Sequence, residues 1–271
     1  MHKRPKTPVR KIIVIGLGLI LGLGLAAYLF MGGGKGGTPV GQAPEKAAGV
    51  AGSAVTVVPP AAGPADPCRE SQEKLQALFA YLDRQDYIAA RNLPGGSAEH
   101  FRRLLVRLLA SPPATQRETD DLLRVLHNRA HFYRVLGRQD TLLVRDILLR
   151  EGEMTEASLA TLYQAMTLRE TCQEKGDALD AALPRVYPYA VFFLNTLGGS
   201  SYLMRRDSRV RLLTRYYSVL IIDRANQKKL NKLGLDIRPP LDILMRDLEG
   251  ASNLARKEEY LTALRAVRPK Y

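Results

Sequence analysis

Two histidines, His127 and His131, have the spacing in this sequence that is most typical of metal binding. Side chains four residues apart on a helix point the same way, so both imidazole rings could bind one metal ion. Asn128 stands where a zinc protease would have its glutamate, and Arg124 and Arg134 would repel a divalent cation. We therefore expect a solvated basic face and no cofactor, with His127 and His131 as weak candidate metal ligands.

Two cysteines, Cys68 and Cys172, are candidates for a disulfide bond. An even number of cysteines in an oxidising compartment favours pairing, and a closed loop of about 100 residues stabilises by up to about 4.7 kcal/mol. Because no histidine lies near either cysteine in sequence and there is no C-x-x-C motif, a catalytic thiol is not favoured. The sequence predicts a Cys68–Cys172 disulfide without showing that the two residues meet.

The sequence lacks the common catalytic signatures. It contains no G-x-S-x-G, no H-E-x-x-H and no dinucleotide-binding fingerprint after a strand. A binding protein is therefore favoured over an enzyme. The alternative is a helical hydrolase that uses carboxylates, or a metal held by His127 and His131.

The chain is basic, with 40 Lys and Arg against 27 Asp and Glu, and the excess is concentrated in residues 201–240. Such a region can bind an anionic lipid, a charged polymer or an acidic protein, although cations near a helix C-terminus also simply complement the helix dipole. No nucleic-acid-binding motif is present, so nucleic acid is an unlikely partner. The predicted anionic-partner patch consists of Arg205, Arg206, Arg209, Arg211, Arg215, Arg224, Lys228, Lys229 and Lys232, and Arg238 closes the basic region.

These residues belong to a part of the chain, residues 68–271, whose apolar residues recur with helical periodicity and without strand-like alternation. Asp66 and Pro67 predict a helix start, Ser97 predicts another, and Pro112 ends the second helix. A third helix is predicted from Thr119 to the residue before Gly137. We expect an all-α domain of stacked helical hairpins, arranged as a bundle or a short solenoid-like array.

A short internal similarity supports the hairpins. Residues 82–86 reappear with one substitution as residues 136–140, and matching apolar and arginine positions follow both segments. The match predicts two related helix junctions, with Asp86 and Asp140 as candidate caps. Convergent turn chemistry explains the similarity equally well.

Two later segments have distinct helical patterns. Residues 186–197 are apolar and aromatic but too short to cross a bilayer, so they predict a core helix stopped by Gly198 and Gly199, with membrane-surface contact as the alternative. Residues 207–234 predict one long helix, on which Arg224, Lys228 and Lys232 would form a stripe.

Residues 12–31 predict a membrane anchor, which would determine the compartment of the rest of the chain. They are uncharged and long enough for a single transmembrane helix. The basic tail, residues 1–11, should stay in the cytoplasm, which puts the remainder in the periplasm of a bacterium, beyond the inner membrane. Gly18, Gly22 and Ala26 line one helix face that could support a homodimer. Residues 32–67, rich in Gly, Ala and Pro, predict a flexible linker.

Together these patterns predict a membrane-anchored periplasmic helical domain that acts as a protein-interaction or scaffold module of the cell envelope. Its expected partner is an envelope protein whose identity the sequence does not reveal. The alternatives are the helical hydrolase and a peripheral binder of anionic lipid or polymer that uses residues 205–238.

Overall fold

The computed structural model describes residues 67–115, 121–168, 183–204 and 207–271, without the side chains of Cys68 and residues 165–168. These residues form α-helices and no β-strand, which confirms the predicted all-α fold class. The helices are α1 (Pro67–Asp83), α2 (Asp86–Ala89), α3 (Gly96–Ala110), α4 (Leu122–Arg129), α5 (His131–Leu136), α6 (Arg138–Arg150), α7 (Gly152–Leu168), α8 (Leu183–Asn195), α9 (Leu197–Met204), α10 (Ser208–Gln227), α11 (Arg238–Glu249) and α12 (Lys257–Val267), with a final 3₁₀ turn, Arg268–Lys270.

Several predictions fall outside the described residues. Among the residues that the structure does describe, no helix combines the length and apolarity needed to cross a membrane. The tail 1–11, the anchor 12–31 with Gly18, Gly22 and Ala26, and the linker up to residue 66 lie outside the described residues and stay predictions. The same holds for the roles of Cys172, Arg205 and Arg206.

Local sequence signals set several helix ends. Helix α1 begins at Pro67, and α3 begins one residue before the predicted Ser97 and ends at Ala110. Asp121 caps α4, since its carboxylate accepts a hydrogen bond from the Arg124 backbone N–H at 3.0 Å.

The single helix predicted before Gly137 is instead two helices, α4 and α5. They meet at Ala130, whose φ of −90° and ψ of −2° interrupt the helical path. The break changes which side chains enter the core, because Asn128 on α4 and both His131 and Phe132 on α5 are buried.

Gly198 and Gly199 do not end the apolar helix as predicted. Helix α8 ends at Asn195, and both glycines lie in the first turn of α9. A Cβ atom on Gly199 would lie 2.0 Å from the backbone oxygen of Phe192, so only glycine allows α9 to approach α8 this closely.

Helix α10 ends at Gln227 and does not continue to residue 234. Lys229 has a positive φ of 57°, and the Asn231 side chain then folds the loop onto itself. Asn231 accepts a hydrogen bond from the Leu235 N–H at 3.1 Å and donates one to the Leu235 carbonyl at 3.0 Å. This amide satisfies backbone groups that another helical turn would have paired.

The core lies around α8, which packs against α9 and α10. An aromatic cluster of Phe132, Tyr189, Phe192, Phe193 and Tyr202 fills the centre, and each residue is at most 3% exposed. On one side of this centre α1 packs against α3 and α7, and on the other α10, α11 and α12 pack in sequence. Helix α7 also contacts α10 and so connects the two sides.

The internally similar segments both lie at helix junctions. Residues 82–86 join α1 to α2, and residues 136–140 join α5 to α6, with Leu82 and Leu136 buried. Neither aspartate is the predicted cap, since Gln85 occupies the N-cap of α2 and Gly137 that of α6, without side-chain hydrogen bonds.

Candidate interaction surface

Helix α4 exposes three leucines. The exposed fractions of Leu122, Leu123 and Leu126 are 69%, 79% and 49%. Only Asn128 of this helix is buried. Leucine at such exposure leaves apolar surface in water, and clustered apolar surface of this kind is typical of a binding site.

Helix α9 packs against α4 and adds two exposed apolar side chains, Leu197 at 59% and Met204 at 67%. Within the described residues these two helices contribute five of the ten large hydrophobic side chains that are exposed. We call Leu122, Leu123, Leu126, Leu197 and Met204 the α4–α9 face.

Asn128 fixes the position of α4. Its side-chain amide donates to the Ala114 carbonyl at 3.2 Å, and its carbonyl oxygen accepts from the Ala114 N–H at the same distance. The side chain is fully buried, so these hydrogen bonds are shielded from water. Helix α4 is therefore held by a pair of polar contacts while its leucines remain outside.

Charges of both signs flank the α4–α9 face. Residues 122–139 contain four arginines, whereas Glu118, Asp120 and Asp121 directly precede Leu122 in the sequence. On α4 itself His127 is exposed, Arg129 is half-buried, and Arg124 pairs with the exposed Asp121 at 3.7 Å. The face therefore combines protruding apolar side chains with a mixed charged margin.

The two candidate metal ligands are separated by the α4–α5 break. His127 is exposed on the last turn of α4, whereas His131 is fully buried at the start of α5. Within the described residues, no three His, Cys, Asp or Glu side chains are grouped to hold a metal ion.

His131 takes part in a buried hydrogen-bonded chain instead. The Tyr189 hydroxyl donates to the Leu108 carbonyl at 2.7 Å, so its oxygen accepts from His131 Nε2, which lies 3.3 Å away. This arrangement places the imidazole proton on Nε2. Burial, with smaller contributions from the charges of Arg134 and His127, lowers the pKa of His131 from 6.5 to about 4.

Two carboxylates, Glu151 just before α7 and Glu156 on α7, form hydrogen bonds within the domain. Glu151 accepts hydrogen bonds from the Tyr81 and Tyr87 hydroxyls at 3.0 and 2.9 Å. Glu156, which is 3% exposed, accepts from the Tyr260 hydroxyl at 2.8 Å and from two backbone N–H groups just before α12. Neither arrangement leaves a carboxylate pair facing a cleft, as a hydrolase would need.

The described members of the predicted anionic-partner patch divide between α10 and the loop after it, so the predicted stripe of Arg224, Lys228 and Lys232 does not lie on one helix. Arg209, Arg211, Arg215 and Arg224 are half-buried on α10, whereas Lys228, Lys229 and Lys232 are exposed beyond its end. Arg209 donates to the Asn253 carbonyl at 2.9 Å, and Arg215 pairs with Asp247 at 3.0 Å. Some of the basic charge on α10 is therefore used inside the domain.

No family model, curated protein or solved structure matches this chain.

A polar concavity of about 490 Å³ lies beyond the end of α10. Lys229, Asn231 and Tyr271 are among its lining residues, as are Asp236 and Arg238, which are hydrogen-bonded to each other. This Arg238 contact lowers the pKa of the Asp236 carboxyl. The side-chain amides that line the concavity are already hydrogen-bonded within the domain, Asn231 to the Leu235 backbone and Asn226 to the Tyr271 hydroxyl.

The α4–α9 face was missed by the sequence pattern. Periodicity predicts that Leu122, Leu123 and Leu126 belong to a helix, but it does not distinguish leucines that enter the core from leucines that remain outside. Charge offers no signal for the face either, because Glu118, Asp120 and Asp121 directly precede the leucine pair.

Proposed function

We propose that this chain is a membrane-anchored binding module of a bacterial cell envelope, with an adaptor or scaffold role. Residues 12–31 hold it in the inner membrane with the N-terminus in the cytoplasm, and the helical domain stands in the periplasm. Packed helices, as in α1–α3 and α10–α12, support the surface on which other envelope components dock.

The observation that carries the proposal is the α4–α9 face. Folded proteins seldom expose clustered large apolar side chains without a binding role, and this cluster lies on a helix whose position is fixed by Asn128. The domain thus presents an apolar surface on a helix that Asn128 attaches to the preceding loop, which favours binding over catalysis.

The predicted tether gives such a face an advantage. A coil of the length of residues 32–66 has an r.m.s. span of about 30–35 Å. Holding a binding module this close to a membrane raises its effective concentration toward anything else at that membrane. A modest intrinsic affinity then suffices for stable engagement.

Photo-crosslinking in intact cells tests the proposal. A benzophenone side chain replaces Leu123 in the full chain, and a matched variant carries it at Leu149, another exposed leucine, at 65% on α6. We expect a discrete adduct from position 123 and little from position 149, measured by mass spectrometry of the purified chain. Absence of any adduct at position 123 would contradict the proposal.

A further inference from the structure

We propose that a small cavity between the starts of α7 and α10 binds a phosphate group, either as the free ion or as part of a phosphomonoester. The cavity shares no lining residue with the α4–α9 face. The inference therefore goes beyond the proposed function and does not depend on it.

The cavity has the size of a small ion. Its volume is about 140 Å³, and its walls come from the end of α6, the starts of α7 and α10 and the loop before α12. That volume corresponds to about four or five water molecules in the liquid, whereas pockets for drug-sized ligands begin at about 300 Å³. A phosphate group therefore fits, and a large organic ligand does not.

Arg209 supplies the positive charge. Its Nε donates to the Asn253 carbonyl at 2.9 Å, which holds the side chain in place. Nη1 and Nη2 have no acceptor and no ion pair among the residues that the structure describes. Nη1 lies against Gly152, where a Cβ atom would be only 2.0 Å away from it. The guanidinium is thus positioned with donor groups available at the cavity.

The position of this guanidinium points to an anion. Gly152 is the first residue of α7, a helix of 17 residues, and the backbone N–H groups of a first turn have no acceptor within the helix. The helix dipole is positive at this end, so a cation placed there without a counter-charge is unfavourable. An oxyanion in the cavity would be attracted both to the guanidinium and to the helix end.

Thr155 gives an independent indication of a ligand. It follows in the first turns of α7, lines the cavity and is only 7% exposed. Its hydroxyl has no hydrogen-bond partner within the described parts of the chain. Buried hydroxyls in folded proteins are usually hydrogen-bonded, and a phosphate oxygen would accept this proton.

The nearby carboxylates have other contacts. Asp207 also lines the cavity, but its Oδ1 caps α10 by accepting from the Arg209 backbone N–H at 2.8 Å, so its charge mainly offsets the positive end of α10. Glu156, next to Thr155 in sequence, already accepts three hydrogen bonds. Glu153, in the first turn of α7, is exposed. The positive charge of Arg209 and of the α7 end therefore remains for a ligand.

Isothermal titration calorimetry of the full detergent-solubilised chain tests the site. Inorganic phosphate and glycerol 3-phosphate are titrated at a constant ionic strength set with chloride, which screens weak surface attraction equally in every run. We expect saturable binding at one site. Arg209→Gln should weaken it at least about tenfold and Thr155→Val at least about threefold, because hydrogen bonds to a charged group are the stronger kind.

Arg215→Gln is the matched control. Arg215 is also half-buried on α10, but it pairs with Asp247 at 3.0 Å and does not line the cavity, so its replacement should leave the affinity for phosphate unchanged. Circular dichroism establishes that each variant is folded. Thr155→Val changes the shape of the side chain little, so it still tests the site if Arg209→Gln does not fold.

Each outcome decides the inference. Binding of inorganic phosphate, of glycerol 3-phosphate or of both supports it and identifies whether the free ion or the phosphomonoester enters the cavity. Absence of saturable binding of either compound, an unchanged affinity in both cavity variants, or an equal loss in Arg209→Gln and Arg215→Gln overturns it. None of these results affects the crosslinking test at Leu123, which concerns a different surface.

Discussion

At the scale of single residues, His131 is the side chain whose surroundings most restrict its chemistry. The ring contacts Phe132 and Phe192 edges and shares a hydrogen bond with the Tyr189 hydroxyl. The Nδ1 atom faces the Arg134 guanidinium at 3.4 Å, so a second proton on the ring would be placed next to a positive charge. The fold therefore favours the neutral imidazole over the charged one.

This constraint predicts a specific acid sensitivity. The unfolded chain protonates His131 near pH 6.5, whereas the folded chain does so near pH 4, so the unfolded state binds more protons between these values. The free energy of unfolding should therefore be fully retained above about pH 6.5 and fall, by up to about 1.4 kcal/mol for each pH unit, as pH drops toward 4. Urea unfolding of the detergent-solubilised chain at several pH values measures this slope.

Two glutamine variants isolate the contribution of this residue. His131→Gln should flatten the slope, whereas His127→Gln, at an exposed position on α4, should keep it. An unchanged slope in His131→Gln would show that other groups cause the acid sensitivity.

At the scale of elements, Gly199 brings the backbone of α9 close to that of α8. Thr196 shapes the turn between them, since its hydroxyl donates to the Phe192 carbonyl at 2.7 Å and accepts from the Gly199 N–H at 2.9 Å. The Gly199 Cα thereby lies against the α8 backbone, which cannot move aside as a flexible side chain would.

Gly199→Ala should therefore destabilise the domain by roughly 2–4 kcal/mol, because the added methyl forces α9 away from α8. Gly250→Ala is the matched control, since a Cβ there meets its nearest atoms at an ordinary 3.9 Å. The midpoints of thermal unfolding measure both changes. Similar midpoints for the two variants would show that α9 adjusts without cost.

The same elements show how far sequence patterns extend. The all-α class, the starts of α1 and α3 and the burial of residues 186–193 follow from periodicity, proline placement and apolar content. The break at Ala130 does not, because it lies beside Asn128, whose amide pairs with the Ala114 backbone, and periodicity does not show such a contact. The end of α10 likewise depends on the hydrogen bonds of the Asn231 side-chain amide. Whether the leucines of α4 are exposed depends on which other helices cover them.

At the scale of the whole molecule, Glu156 connects distant parts of the chain. From α7 its carboxylate accepts hydrogen bonds from the Ala255 and Arg256 backbone N–H groups at 3.2 and 2.9 Å, in addition to the Tyr260 hydroxyl. About 100 residues of sequence separate the partners. The start of α12 is thus capped by a side chain from the other side of the domain.

Glu156→Ala should lower the free energy of unfolding by about 3 kcal/mol, since it leaves the buried Tyr260 hydroxyl and two part-buried backbone N–H groups without an acceptor. Glu156→Gln keeps one acceptor oxygen and should lose about half as much. Glu153→Ala, at an exposed position on the same helix, should change stability by less than about 0.5 kcal/mol. Chemical denaturation measures all three, and equal losses for the Ala and Gln variants would contradict the capping role.

The way in which α4 is attached has a dynamic consequence. Helix α4 has eight residues and buries only Asn128, so its local unfolding should cost little free energy. Its amide protons should then exchange with solvent through local opening, far faster than those around the fully buried Phe192 in α8. The part of the chain that carries the exposed leucines can therefore change its orientation while the aromatic centre stays folded.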